Sequence, residues 1–277
     1  MKINRVAILG SGSMGQAILS GLLKSGFDPL NIAVSTKSDA TASKHIDEYG
    51  VNAFALENGD DANQMAVAGA DVVLVAVKPA YVAEVLADVA DNLDDNALVI
   101  SVAAGVTTQS MQAVLPNDVA VVRSMPNTPA IVGRAITGLA AGSRANADHL
   151  AIATQLFETV GQVLITDESK IDALSTISGS GPAYVFFLVE QLTAAAKHQG
   201  FNESEAALLV NETFLGASML LAASDKSPAE LRRQVTSPNG TTERAITRMQ
   251  QTDLETMFIE ATDAALARAK ELGNLKP

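Results

Sequence analysis

The sequence predicts an α/β protein, an N-terminal doubly wound, mostly parallel sheet followed by an all-α C-terminal domain. Three observations predict it. The chain opens on an apolar strand, a glycine turn and a helix: Val6-Ala7-Ile8-Leu9-Gly10-Ser11-Gly12-Ser13-Met14-Gly15-Gln16-Ala17-Ile18. Short apolar runs then alternate with helical spacing as far as residue 166, the pattern of βα units that build a parallel sheet. From about Asp167 onward only helical periodicity remains, so we divide the chain into residues 1–166 and 167–277.

The opening stretch is the most informative. Gly10 permits a turn that a side chain would obstruct, Gly12 lets a pyrophosphate approach the backbone, and Gly15 lets the helix pack closely on the strand. The helix that starts at Ser13 and Met14 offers unpaired N–H groups and a positive dipole end to phosphates. A three-glycine turn can be purely structural. Its position between a strand and a helix makes this one a Rossmann-type dinucleotide site with Gly10, Gly12, Ser13, Met14 and Gly15 as contacts.

The remaining elements follow in order. Pro29 and Asn31 mark a turn before a strand at 32–34. The position that separates NAD from NADP lies about 20 residues past the glycine turn, where an acid would bind the ribose hydroxyl. Ser35-Thr36-Lys37-Ser38 stands there instead, hydroxyls and a cation that suit a 2′-phosphate, although the same residues read equally as a helix cap and Asp39 is close by. The reading is NADPH, with NADH possible. A helix at 45–49, a strand at 51–54 and a polar segment at 57–69 lead to the run Asp71-Val72-Val73-Leu74-Val75-Ala76-Val77, a strand buried on both faces.

That strand ends in Lys78-Pro79, and strand ends line the ligand crevice of an open α/β sheet, which places Val77, Lys78 and Pro79 beside the cofactor. A helix at 81–90 and a strand at 97–102 end in Ala103-Ala104-Gly105, small residues that admit a flat nicotinamide ring or serve a tight turn. Next come a helix at 107–114, a strand at 119–123, the rigid loop Arg123-Ser124-Met125-Pro126-Asn127-Thr128-Pro129, a strand at 135–141, a helix at 146–159 and a closing strand at 163–166. Helices then occupy 183–197, 203–223 and 253–272. Residues 183–197 are apolar on nearly every side in the first half, which a small helical domain cannot bury alone, so burial against a second subunit is expected.

Composition excludes several classes. Net charge is −12, against a nucleic-acid partner, since phosphate binding needs clustered Lys and Arg. Without cysteine, disulfides and thiol catalysis are impossible. His45, His149 and His198 are far apart, show no metal-ligand spacing, and read as surface residues. The apolar run at 183–189 is short of the ~20 residues a membrane span needs, and a strand beginning at once leaves no room for an export signal, so the expected location is the cytoplasm.

Two further motifs, Ser178-Gly179-Ser180-Gly181-Pro182-Ala183-Tyr184 and Leu231-Arg232-Arg233-Gln234-Val235-Thr236-Ser237-Pro238-Asn239-Gly240-Thr241-Thr242, join the glycine turn, Val77-Lys78-Pro79 and the loop 123–129. Together they resemble the pyrroline-5-carboxylate reductase family over essentially the whole chain. The resemblance implies hydride transfer from NAD(P)H to C5 of the cyclic imine 1-pyrroline-5-carboxylate, the last step of proline biosynthesis. It carries Asn63 to the adenosine side, and 77–79 and 103–105 to the pyrophosphate and nicotinamide side. It also makes Ser237 and Thr242 the catalytic candidates that bind the substrate carboxylate, with Gly240 and Thr241 assisting, and makes the helical domain a dimerisation domain, giving a homodimer or an oligomer of dimers.

Physically, Pro-Asn-Gly-Thr-Thr opening a helix is an anion receptor or an ordinary N-cap. Asn239 stands where the family usually has Gly, and Asn tolerates φ > 0 best after Gly. Lys37 stands where Arg is frequent, and lacks the planar fork. No His or acid pair presents itself as proton donor. The rival readings are a related imine reductase, a β-hydroxyacid dehydrogenase, for which Lys170 stands on the wrong side of Gly179, and a non-catalytic NADP-binding sensor.

Overall fold

A computed structural model describes residues 3–274. Eight strands form one sheet: β1 Val6–Leu9, β2 Ile32–Thr36, β3 Asn52–Ala55, β4 Val72–Val75, β5 Leu98–Ser101, β6 Ala120–Met125, β7 Ala135–Ala141 and β8 Gly161–Ile165. Their order is β3-β2-β1-β4-β5-β6-β7-β8. Every pairing is parallel except β6 with β7. The order reverses at β1, between β2 and β4, which is where an open α/β sheet forms its ligand crevice.

Helices α1 Ser13–Lys24, α2 Asp39–Tyr49, α3 Ala62–Val67, α4 Val82–Val89, α5 Thr108–Gln112 and α6 Ala147–Glu158 cover both faces. Successive strand residues point to opposite faces. Ile8, Val34, Leu74, Ile100 and Val122 therefore join Ile18, Leu19 and Phe157 in one core. Leu9, Val73, Val75, Val99 and Val121 join Leu86 and Met111 in the other. Burial on both faces explains why these strands read as unbroken apolar runs, each buried side chain contributing about 1.5–3 kcal/mol.

The last strand starts earlier than the apolar pattern suggests. A Cβ at Gly161 would collide with the Ala135 backbone, so only glycine lets β8 approach β7 there. Beyond β8 the segment 167–180 contains α7 Ile171–Leu174 and a π-helical turn, Ser175–Gly179. Ile171 is buried and Leu174 packs over Gly138 of β7. Of the described residues, 3–180 with 265–274 form one compact unit, and 181–264 the second.

The second unit is wholly helical. It holds α8 Gly181–His198, α9 Glu203–Ala222, α10 Pro228–Gln234, α11 Thr241–Gln250 and the start of α12 Leu254–Asn274. Asn202 and Glu205 close a capping box at the start of α9, and Ser227 with Pro228 starts α10. No residue of α8 is buried and only Ala206 and Val210 are buried on α9. Phe186, Phe187, Leu208, Met219 and Leu220 are all more than half exposed within the single chain. By length and composition α9 would suffice to cross a membrane, although Glu203, Glu205 and Glu212 interrupt it. Large apolar side chains exposed together on two long helices mark a surface that a partner covers more often than water.

One histidine departs from expectation. His45 is 1% exposed and both of its ring nitrogens lack a partner, while its ring lies 5.6 Å from that of Tyr49. Helical phase places it on the inner face of α2 with Ala42, which outweighs its polarity. His149 is half-buried and closes the cap of α6 by accepting the Asn146 N–H, and His198 is exposed.

Burial, and then the neighbouring Lys44 cation, push the His45 pKa below its ordinary 6.5, against a smaller opposing effect of Glu48. The folded state thus favours the neutral ring. That stability is fully present above pH 6.5 and is lost as pH falls from 6.5 through the lowered value, because the unfolded chain takes up the proton first. We expect His45→Leu to flatten this part of the stability profile. Urea midpoints above and below pH 6.5 check it, and an unchanged slope would contradict it.

Candidate cofactor and substrate sites

The crevice at β1 is built around the glycine turn. The Gly10 N–H donates to the Ser35 carbonyl at 3.1 Å and the Ala76 N–H to the Leu9 carbonyl at 2.8 Å, so the ends of β2, β1 and β4 are tied together. Gly10 has φ +94°, and a Cβ there would press on the Ala76 carbonyl and the Val77 side chain. A Cβ at Gly15 would collide with the Gly10 carbonyl oxygen. Those two glycines serve the turn and the packing.

Gly12 differs. Its φ is ordinary at −69°, it is the N-cap of α1, and a Cβ there would meet nothing within 4 Å. No side chain caps α1 and its first turn carries no acid. The free N–H groups, the positive helix end and the open space over Gly12 form a cradle that fits a pyrophosphate. Ser13 is exposed and Met14 half-buried at this helix start.

Around the cradle, Val77 abuts Gly10, with Lys78 and Pro79 exposed next to it. Ala103 is buried, its N–H donating to Ser101 Oγ at 3.2 Å, while Ala104 is exposed and Gly105 turns with φ +75°. Both loops follow strands adjacent to β1 or one strand removed, at the carboxyl ends, as proposed for a cofactor wall.

The end of β2 is less open than the sequence suggests. Ser35 and Thr36 are buried. The Thr36 hydroxyl donates to the Ser38 carbonyl at 2.9 Å, and Ser38 caps α2, its Oγ lying 2.9 Å from Thr41 Oγ1. The capping reading of this cluster therefore holds for Ser38, and Lys37 is left as the exposed polar side chain. Asn63 is buried and donates to Asp88 Oδ2 at 3.2 Å, tying α3 to α4.

Sequence reasoning missed an ion-pair network beside the end of β5. Arg123, on β6 beside Ser101 of β5, is 3% exposed. Its guanidinium lies 2.5 Å from Asp172 and 3.6 Å from Glu168. Glu168 also accepts the Thr108 N–H at 2.7 Å and the Thr108 hydroxyl at 2.6 Å. Asn127, from the double-proline loop, donates to the Ser178 carbonyl and accepts the Ile136 N–H, both at 3.0 Å. A charged residue directly after the apolar run 119–122 was the available signal for Arg123.

In the helical unit the turn before α11 has its own geometry. Asn239 adopts φ +59°, the Gly240 N–H donates to the Ser237 carbonyl at 3.0 Å, and Glu243 accepts the Asn239 N–H at 2.8 Å. The N-cap of α11 is Gly240 and no side chain caps the helix. The hydroxyls of Thr241 and Thr242 are thus not spent on the cap, and Thr242 is half-buried while Ser237 is exposed. The turn places Ser237, Gly240, Thr241 and Thr242 around one uncapped helix start. Among the described residues no group of three His, Asp or Glu side chains is placed to hold a metal.

A family model described as pyrroline-5-carboxylate reductase dimerisation matches residues 168–272, and one described as NADP oxidoreductase, coenzyme F420-dependent, matches residues 5–105. The chain is 38% identical to a pyrroline-5-carboxylate reductase of Pseudomonas aeruginosa, covering 98% of each. It is 36% identical to that of Corynebacterium melassecola, over 97% of this chain and 98% of the relative. A solved pyrroline-5-carboxylate reductase of Coxiella burnetii superposes with a TM-score of 0.91 at 37% identity, covering 98% and 99%. The fold also matches a Plasmodium falciparum pyrroline carboxylate reductase solved with NADP bound, at 24% identity and a TM-score of 0.82, over 99% of each chain.

Proposed function

Because the chain belongs to the pyrroline-5-carboxylate reductase family and reduces 1-pyrroline-5-carboxylate to L-proline with NAD(P)H, we propose that the turn before α11 holds the substrate carboxylate. The observation that carries this is the uncapped helix start at Gly240, with two threonine hydroxyls left uncommitted by the cap. A helix N-terminus with free N–H groups suits a carboxylate, and Ser237 and Thr242 add hydroxyl donors. We assign the pyrophosphate to the N–H groups of α1 at Gly12–Gly15, and the cofactor walls to 77–79 and 103–105.

The cofactor, when bound, supplies a hydride at its nicotinamide C4. The work left to the chain is binding and orientation. A protonated imine accepts hydride better than a neutral one, and fixing the carboxylate sets which face of C5 is presented, an advantage of position rather than of acid catalysis. Among the proposed carboxylate contacts only hydroxyl and N–H groups occur; the Thr242 hydroxyl, bound water and a substrate already protonated in solution are the sources of the iminium proton left open, and none is assigned.

Thr242→Ala tests the assignment. Loss of a hydroxyl donor to a charged acceptor is worth about 1.5–3 kcal/mol, so kcat/KM for the imine should fall about 10- to 100-fold. Titration of NAD(P)H into the variant should give an affinity within about twofold of the parent's, since cofactor contacts lie in the other unit. An equal loss of cofactor affinity would show the residue to be misplaced.

We also infer that the exposed apolar faces of α8 and α9 are buried in a homodimer, in keeping with the dimerisation model that spans them, and that the enzyme works in the cytoplasm.

A further inference from the structure

The loops that follow β2 and β3 are stitched side by side. Thr36 pairs with Ala55 in register, the Leu56 N–H donates to the Thr36 carbonyl at 3.0 Å, and the Glu57 N–H to the Lys37 carbonyl at 3.3 Å. This carries Glu57 to the start of α2, where its carboxylate accepts the Asp39 N–H at 2.9 Å. Asn58 then holds the Asp39 carboxylate at 2.7 Å.

Those contacts use up what an extra phosphate would need. A 2′-phosphate is bound at the end of β2 through a cation, hydroxyls and free N–H groups. Here the Thr36 hydroxyl is turned to the Ser38 carbonyl, Ser38 caps α2, and the Asp39 N–H belongs to Glu57. Lys37 shares this stretch with two carboxylates, Asp39 two positions on and Glu57, whose N–H donates to the Lys37 carbonyl, so the formal charge of the three is already negative before a phosphate bearing ~1.5–2 negative charges arrives.

We propose that Glu57 is a specificity-determining residue: its carboxylate occupies the anion position at the start of α2 and discriminates against the 2′-phosphate, so that NADH competes effectively with NADPH. The proposal rests on the cofactor site assigned above. It is electrostatic, because Glu57 is exposed and solvent moderates but does not abolish repulsion between charges a few ångströms apart. Its location at the end of β3, on the segment after the usual discriminating strand, is why the spacing from the glycine turn did not reveal it.

The test is Glu57→Gln, which keeps an oxygen acceptor for the Asp39 N–H and so preserves the loop. Dissociation constants for NADPH and NADH are measured by fluorescence titration, and those for 2′,5′-ADP and 5′-AMP by calorimetry, at low and high salt. The NADPH-to-NADH ratio should move about tenfold in favour of NADPH, with the same shift for 2′,5′-ADP relative to 5′-AMP, and both should shrink at high salt. Lys37→Gln should move both ratios the other way. Ratios that stay at the parent's values in a Glu57→Gln protein that binds NADH overturn the proposal. A parent protein that binds neither dinucleotide overturns the cofactor site itself, and with it this inference.

Discussion

Gly12→Val is expected to weaken binding of both NADH and NADPH on the order of 100-fold or more, the cost of removing about two charge-assisted hydrogen bonds at ~1.5–3 kcal/mol each. The argument is geometric. Gly12 has ordinary backbone angles and nothing within 4 Å of a would-be Cβ, so valine there should be tolerated by the fold and would fill only the space above the start of α1. Fluorescence titration of the reduced nucleotides checks the affinity, and urea unfolding checks that stability is held within about 1 kcal/mol. Gly15 is the internal contrast, because a side chain there would strike the Gly10 carbonyl and damage the fold before any ligand is added. Normal nucleotide affinity in a folded Gly12→Val protein would remove the pyrophosphate from this cradle.

Arg123→Met should destabilise the protein by about 2–4 kcal/mol, somewhat below the 3–5 kcal/mol of a fully buried pair because both acids remain partly in water. The guanidinium is 3% exposed and is the cation that faces both Glu168 and Asp172 in this network. Removing it leaves both carboxylates without their shared cation, one of them still bonded to Thr108. Methionine has similar length and keeps the packing, so the loss isolates charge from volume. The expected reading is a lower urea midpoint with an unchanged slope, and replacement of all three charged residues by apolar ones should recover much of it. A midpoint equal to the parent's would show the network to be energetically neutral.

The sheet was legible because its strands are buried on both faces. Runs such as 72–75 leave no polar alternative, and glycine turns and cap residues punctuate them. The glycine turn was legible at Gly10 and Gly15, where a side chain would strike Ala76 with Val77 and the Gly10 carbonyl, whereas Gly12 meets no protein atom and its role rests on the proposed ligand. At the rear, the Asn239 conformation was foreseeable because Asn tolerates the left-handed region that the turn requires.

What escaped was contact between residues distant in sequence. His45 looked like a surface residue from its polar neighbours Lys44 and Asp47, and helical phase alone put it inside. Arg123 meets acids 45 and 49 positions later, which no local pattern encodes. The end of β2 was legible only in part: Ser35, Thr36 and Ser38 offer hydroxyls in the sequence, but folding commits them to burial and capping and brings Glu57 across from β3, which local spacing does not encode.

The most direct measurement of the hydride path is isotopic. NADH carrying deuterium at both C4 positions is supplied with unlabelled 1-pyrroline-5-carboxylate, and the proline formed is analysed by NMR. The account predicts one deuterium per proline, located at C5, and loss of product in Gly12→Val at subsaturating nucleotide. Proline free of deuterium, deuterium at another carbon, or no proline at all from the parent enzyme would contradict it.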